Sequence, residues 1–212
     1  MHLPDGLVHG GMAIAGYGAC AALVGLSLWR VDRLPDPGAL VPRAALVAAV
    51  FFAGSLVSIP VPPTSVHLML SGLVGVLLGW LAVPVVLIGL FFQAILFGHG
   101  GVTTLGLNGL ILGLPALVAF AGWRLAGGDR LGRRVAMALA AGLGAGGVVL
   151  AVGLFAAIVL LGLPADLDAA TERRAVGIFI WAHLPVMLIE GVVTATAVGF
   201  LHRAGSGLLR YG

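Results

Sequence analysis

A histidine at position 2 gives the opening of this chain, Met1-His2-Leu3-Pro4-Asp5-Gly6, the donors of a metal chelate. A free α-amine, the amide nitrogen of His2 and its imidazole nitrogen close fused small rings around one ion and leave one equatorial position open. Three nitrogens in a plane favour d-block ions that accept square-planar geometry, chiefly Ni(II), Cu(II) and low-spin Co(II). Met1 is expected to stay, because initiator methionine is normally trimmed only ahead of a small residue. Six histidines in 212 residues also place one at position 2 with no chemistry attached. The chelate therefore needs a fourth donor, and a side of the cell on which to meet metal.

The elements that settle both points belong to a bilayer. Hydrophobic residues make up 60% of the chain and charged residues 9%, against about a quarter charged in soluble domains. Apolar runs long enough to span a ~30 Å hydrocarbon core, with no period-2 alternation, predict an all-α polytopic membrane protein forming one domain over residues 1–212. Seven spans are expected, near Leu7–Trp29, Ala44–Ile59, Ser65–Gly79, Val83–Phe97, Gly109–Ala126, Val135–Leu163 and Ala175–Leu201. The uncharged stretch Thr64–Gly98 would be ~52 Å long as one helix, so it is divided at Gly79-Trp80-Leu81-Ala82-Val83-Pro84, where Pro84 opens a new helix. Every basic residue other than histidine is an arginine. With the N-terminus outside and the C-terminus in the cytoplasm, the inner segments carry Arg30, Arg33, Arg43, Arg124, Arg130, Arg133, Arg134, Arg203 and Arg210. The outer ones keep only Arg173 and Arg174, a positive-inside distribution. No basic segment precedes the first apolar run, which argues against an internal signal peptide. The net charge of +3 comes from loop arginines without a basic stripe and does not suggest nucleic-acid binding. The single Cys20 provides no disulfide framework.

On this topology His2 and His9 are external, and His67 begins the third helix. His99 lies in an outer glycine-rich loop, His183 in the outer half of the seventh span, and His202 inside. His67, after the rigid Pro60-Val61-Pro62-Pro63 turn, is the favoured fourth donor; a helix-capping role with Thr64 and Ser65 is the alternative. His99 fits a ligand, a gate or a plain loop residue. Glu190, seven residues beyond His183, is an intramembrane carboxylate, the kind of group that marks a site or a buried partner; a structural hydrogen bond to another helix is the preferred reading. Asp5, Thr103, Thr104 and Asn108 are candidates to support the metal site from behind the ligands, with Asp5 equally able to order the Pro4-Asp5-Gly6 turn. The small residues Gly72, Gly75 and Gly79 suit close helix packing, and those of Ala15–Ala19 suit either internal packing or a partner.

No GxxxxGK loop, HExxH or GxSxG motif occurs, and no inverted repeat is evident, so neither nucleotide hydrolysis nor self-sufficient secondary transport is indicated. Four segments in order carry a family resemblance: Met1–Gly6; Thr64-Ser65-Val66-His67-Leu68; Gln93–Gly101 with Asn108; and His183-Leu184-Pro185 leading to Ile189-Glu190-Gly191. On these the chain resembles the metal-specific membrane components of energy-coupling-factor transporters, the CbiM/NikM family for cobalt and nickel. The resemblance implies a seven-helix substrate-binding subunit in a bacterial or archaeal cytoplasmic membrane. It also implies four nitrogen donors, which fall on the Met1 amine, the His2 amide, the His2 imidazole and His67. The implied partners are a transmembrane coupling subunit, a pair of ABC ATPases and a small accessory membrane protein; Co(II) or Ni(II) is the transported substrate and no cofactor is expected. One departure is His99, where family members commonly carry an aspartate. The rival readings are a structural or assembly subunit that binds no metal and a stand-alone divalent-metal channel or carrier.

Overall fold

A computed structural model describes residues 2–61, 64–163 and 168–209, without the side chains of 58–61, 64, 65 and 169. Met1, the Pro62-Pro63 turn and Arg210 thus lie outside the described residues. Seven α-helices are present among the described residues: α1 Gly10–Asp32, α2 Val41–Ser55, α3 Ser71–Leu78, α4 Ala82–Phe97, α5 Leu105–Leu125, α6 Arg133–Gly162 and α7 Ala169–Arg203. The solvent these helices expect is visible in their faces. Ile14, Leu28, Ile95, Leu125 and Phe200 are exposed, whereas Ser27, Gln93, Asn108, Glu190 and Thr194 are buried. Backbone groups are satisfied within helices and polar side chains turn inward, as hydrocarbon requires. Six helical stretches are long and apolar enough to cross a membrane, Ser71–Phe97 counting as one of them.

That stretch corrects the expected third span. Where a helix from Ser65 is expected, the chain forms an antiparallel hairpin, β1 Ser58–Val61 with β2 Thr64–His67, in which Ser58 faces His67 and Val61 faces Thr64. Pro60 lacks an N–H, and Ile59, Val61, Thr64 and Val66 are β-branched, so the segment favours extended backbone. His67 therefore ends a strand instead of beginning a helix. The break expected between Gly79 and Pro84 is present. Gly79 takes φ 57°, ψ −124°, a conformation closed to side chains with a Cβ. A 3₁₀ turn, Gly79–Leu81, then leads into α4, which has Pro84 in its first turn.

Eight residues give α3 a length of ~12 Å, too short to cross a membrane alone. All eight residues of α3 are buried, and they fit because of their glycines. A Cβ on Gly75 would overlap the Ala116 carbonyl of α5, and one on Gly72 would come within 2.6 Å of the Gly144 Cα of α6. The small residues of α1 have an internal use too, since Gly16 and the Tyr17 backbone pack directly on Leu107 and Gly106 of α5.

Contacts between remote segments give the bundle two distinct ends. The His9 N–H bonds the Gly162 carbonyl at 3.0 Å, joining the start of α1 to the end of α6. Arg43, at the start of α2, donates to the Leu208 carbonyl beyond α7, and the Arg30 guanidinium lies 5.2 Å from the Trp80 ring centre. The hairpin, the 98–104 loop and the N-terminal segment share the first end. Most of the arginines share the second.

Candidate metal centre

The N-terminal tail is held at its third residue. Leu3 is fully buried, and its peptide groups are read by Asn108 in the first turn of α5. The Leu3 N–H donates to Asn108 Oδ1 at 2.8 Å, and Asn108 Nδ2 returns a hydrogen bond to the Leu3 carbonyl at 3.1 Å. That carbonyl also accepts from Thr104 Oγ1 at 2.6 Å and from the Gly101 N–H at 2.9 Å. Two residues on, Asp5 Oδ1 accepts from both the N–H (2.9 Å) and the hydroxyl of Thr103. This hydroxyl bond is the main reason the exposed Asp5 carboxyl sits below its ordinary range. Glycine lets the loop come this close: a Cβ on Gly101 would overlap the Asp5 carboxylate, and one on Gly100 would lie 3.0 Å from the His2 Cβ.

The clamp delivers the His2 ring to two other imidazoles. The His2 and His67 ring centres are 4.8 Å apart with planes 15° from parallel. His99, itself exposed, stands edge-on at 6.2 Å from His2 and 6.0 Å from His67. Both ring nitrogens of His2 are sealed from solvent and have no hydrogen-bond partner among the described residues. His67 is buried, with Nδ1 3.3 Å from the Leu68 carbonyl. Burial, first among the causes, holds the His2 imidazole well below the ordinary histidine range and pushes His67 down to about 3. Both rings are neutral at physiological pH, the form that ligates metal. Among the described residues no three His, Cys, Asp or Glu side chains form a cage for an ion.

The sequence-derived candidates fall into three groups. His2, His67 and His99 come together, while Met1 lies outside the described residues. Asp5, Thr103, Thr104 and Asn108 bind the N-terminal tail and the 98–104 loop. His9, His183 and Glu190 are elsewhere. His9 Nδ1 accepts the Met12 N–H at 3.2 Å and caps α1. His183 Nδ1 lies 2.7 Å from the Phe179 carbonyl within α7. Glu190 makes the expected structural hydrogen bonds, to the backbone before α3. Sequence reasoning missed the parts played by Leu3, Gly100 and Gly101. The -Gly-Gly- pair after His99 was the available signal.

Inward-facing polar groups, an apolar outer surface and imidazoles gathered at one end define a multi-pass membrane protein with a histidine cluster at one face. The family described as the cobalt uptake substrate-specific transmembrane region, CbiM, matches residues 2–208, and the chain belongs to it: a membrane component of cobalt and nickel transport. It is 36% identical over 230 residues to the fused nickel transport protein NikMN of Rhodobacter capsulatus, covering 99% of this chain and 64% of that one. It is 32% identical over 210 residues to the cobalt transport protein CbiM of Sorangium cellulosum, covering 95% and 91%. A crystal structure of a truncated transition metal transporter superposes with a TM-score of 0.76 over 97% of this chain and all of the other. At 22% identity that likeness establishes the fold.

Proposed function

We propose that this chain is the substrate-binding subunit of an energy-coupling-factor importer, and that it captures Co(II) or Ni(II) at the extracytoplasmic face through four nitrogens. The Met1 amine, the deprotonated His2 amide and the His2 imidazole form the chelate, and His67 closes the square. The observation that carries this reading is the sealed His2 ring, with two unpartnered nitrogens, set 4.8 Å from the His67 ring. Metal–nitrogen bonds of about 2.0 Å would put imidazoles on adjacent corners of a square with centres roughly 4.5 Å apart. The Leu3 clamp fixes the peptide next to the chelating amide, so little ordering is left for the metal to impose. His99 stands beside this square and outside it. Such a site rejects Mg(II) and Ca(II), which want oxygen and higher coordination, and disfavours tetrahedral Zn(II). Copper would bind well on intrinsic affinity, so its exclusion rests on availability.

The chain carries no motif for hydrolysing nucleotide. In this reading inward release is driven by a transmembrane coupling subunit and a pair of ABC ATPases, with a small accessory membrane protein. The arginine-rich end faces the cytoplasm. The test is uptake of radiolabelled Co(II) and Ni(II) by cells carrying this chain with and without those partners. Uptake is expected only with all of them and is expected to disappear in His2→Ala and His67→Ala. ATP-independent flux through the chain alone would identify a stand-alone carrier. Full uptake by His2→Ala would identify an assembly subunit.

A further inference from the structure

The strand that carries His67 reaches α3 through three residues that no ladder holds. Register pairing ends at Ser58–His67. Beyond it Leu70 takes φ 52°, ψ 13°, the left-handed region, and is the only non-glycine with positive φ among the described residues. A branched apolar side chain rarely adopts that conformation unless its surroundings impose it. Leu70 is also the residue before α3, where a Ser, Thr, Asp or Asn would normally supply an oxygen for the free N–H groups of the first turn. No side chain of the local sequence does so.

A side chain of α7 instead binds the backbone just ahead of that turn. Glu190 Oε1 accepts the Leu70 N–H at 2.8 Å and the Met69 N–H as well. Glu190 is fully buried, and Met69 and Leu70 are nearly so, at 1% and 3% exposure. A carboxylate at the amino end of a helix also meets the positive end of the helix dipole, here deep within an apolar bundle. One side chain on α7 thus holds the turn joining the His67 strand to the bundle. The arrangement mirrors the other ligand segment. Asn108 on α5 pins the backbone one residue after His2, and Glu190 pins the backbone two and three residues after His67.

We propose that Glu190 is a positioning residue of the metal site: by binding the Met69 and Leu70 N–H groups it fixes the His67 imidazole at the open corner of the terminal chelate. This inference rests on the four-nitrogen reading above. Neither oxygen of Glu190 is needed as a ligand; Oε1 is occupied by backbone, and Oε2 is buried without a hydrogen-bond partner among the described residues.

The test uses the purified full-length chain and Ni(II), read by chelator competition and by the ligand-field absorption and circular dichroism bands. Losing a group that orients a ligand weakens metal binding by about 10- to 100-fold. Glu190→Ala is expected to lose affinity by that factor and to move its bands toward those of His67→Ala, in which three nitrogens remain. Glu190→Gln keeps an acceptor for both N–H groups and is expected to retain the native bands. Adding Leu70→Gly to Glu190→Ala should restore part of the affinity, because glycine takes the left-handed conformation unaided. A purely structural contact would not give the ligand-loss spectrum or this rescue. If Glu190→Ala does not fold, Glu190→Asp, too short to reach both N–H groups, is expected to show the same change. Native affinity and bands in Glu190→Ala or Glu190→Asp, alongside loss in His67→Ala, would overturn the inference alone. Native behaviour of His67→Ala would overturn the four-nitrogen reading and this inference with it.

Discussion

Asn108 treats Leu3 as a neighbouring strand would, taking its N–H and answering its carbonyl. Asn108→Ala strands a buried donor at a cost of about 1–3 kcal/mol. Ni(II) affinity is then expected to fall about 10- to 100-fold while His2 and His67 stay intact, which equilibrium titration would show. The imidazoles add a pH effect on stability. The His67 pKa is about 3 in the fold against an ordinary value of about 6.5. Between those values the unfolded chain binds more protons than the folded one at this position, so this imidazole's contribution to apo-protein stability is fully present above pH about 6.5 and is lost as pH falls toward 3. Thermal unfolding in detergent should show that decline, and His67→Gln should make it shallower, with the depressed His2 imidazole keeping the remainder. At this scale much of the site was legible. His2, His67 and His99, singled out in the sequence, do come together, and Asn108, singled out with them, holds the tail. What Asn108 and Thr103 touch was not legible, because their partners lie 105 and 98 residues away. No local spacing encodes such a contact.

Among the elements, the hairpin and the half-length helix α3 matter most, because they bring a strand end instead of a helix end to the histidine cluster. A short uncharged segment without clear periodicity reads equally as strand or helix, so the sequence left Thr64–Leu70 open to the wrong assignment. The break at Gly79 and Pro84 was readable from turn chemistry alone. Packing of α3 tests the element directly. Gly75→Ala would drive a Cβ into the Ala116 backbone carbonyl, an atom that cannot swing aside as a side chain would. Overpacking of this kind costs about 1–3 kcal/mol, and a lower unfolding temperature is the expected result. Gly18→Ala, where an added Cβ meets nothing within 4 Å, is the control and should leave it unchanged.

For the whole molecule, composition was enough to name the solvent, and the bundle repeats the message in its apolar outside and polar inside. The N-terminal tail and the arginine-rich segments lie at opposite ends of the bundle. Cysteine labelling tests the orientation that the arginines imply. A membrane-impermeant maleimide is expected to label Gly10→Cys on intact cells and Asp129→Cys only after permeabilisation. Buried Cys20 should stay silent in both. The reverse pattern would put the metal centre on the cytoplasmic side and contradict capture from outside.

The central claim is that the terminal amine is a ligand, and adding one glycine before Met1 tests it most directly. The extension keeps every side chain but removes the amine from the chelate ring. Tight Co(II) or Ni(II) binding by the native chain, lost on extension, is the result expected of the four-nitrogen site. Equal affinity with and without the glycine would contradict it.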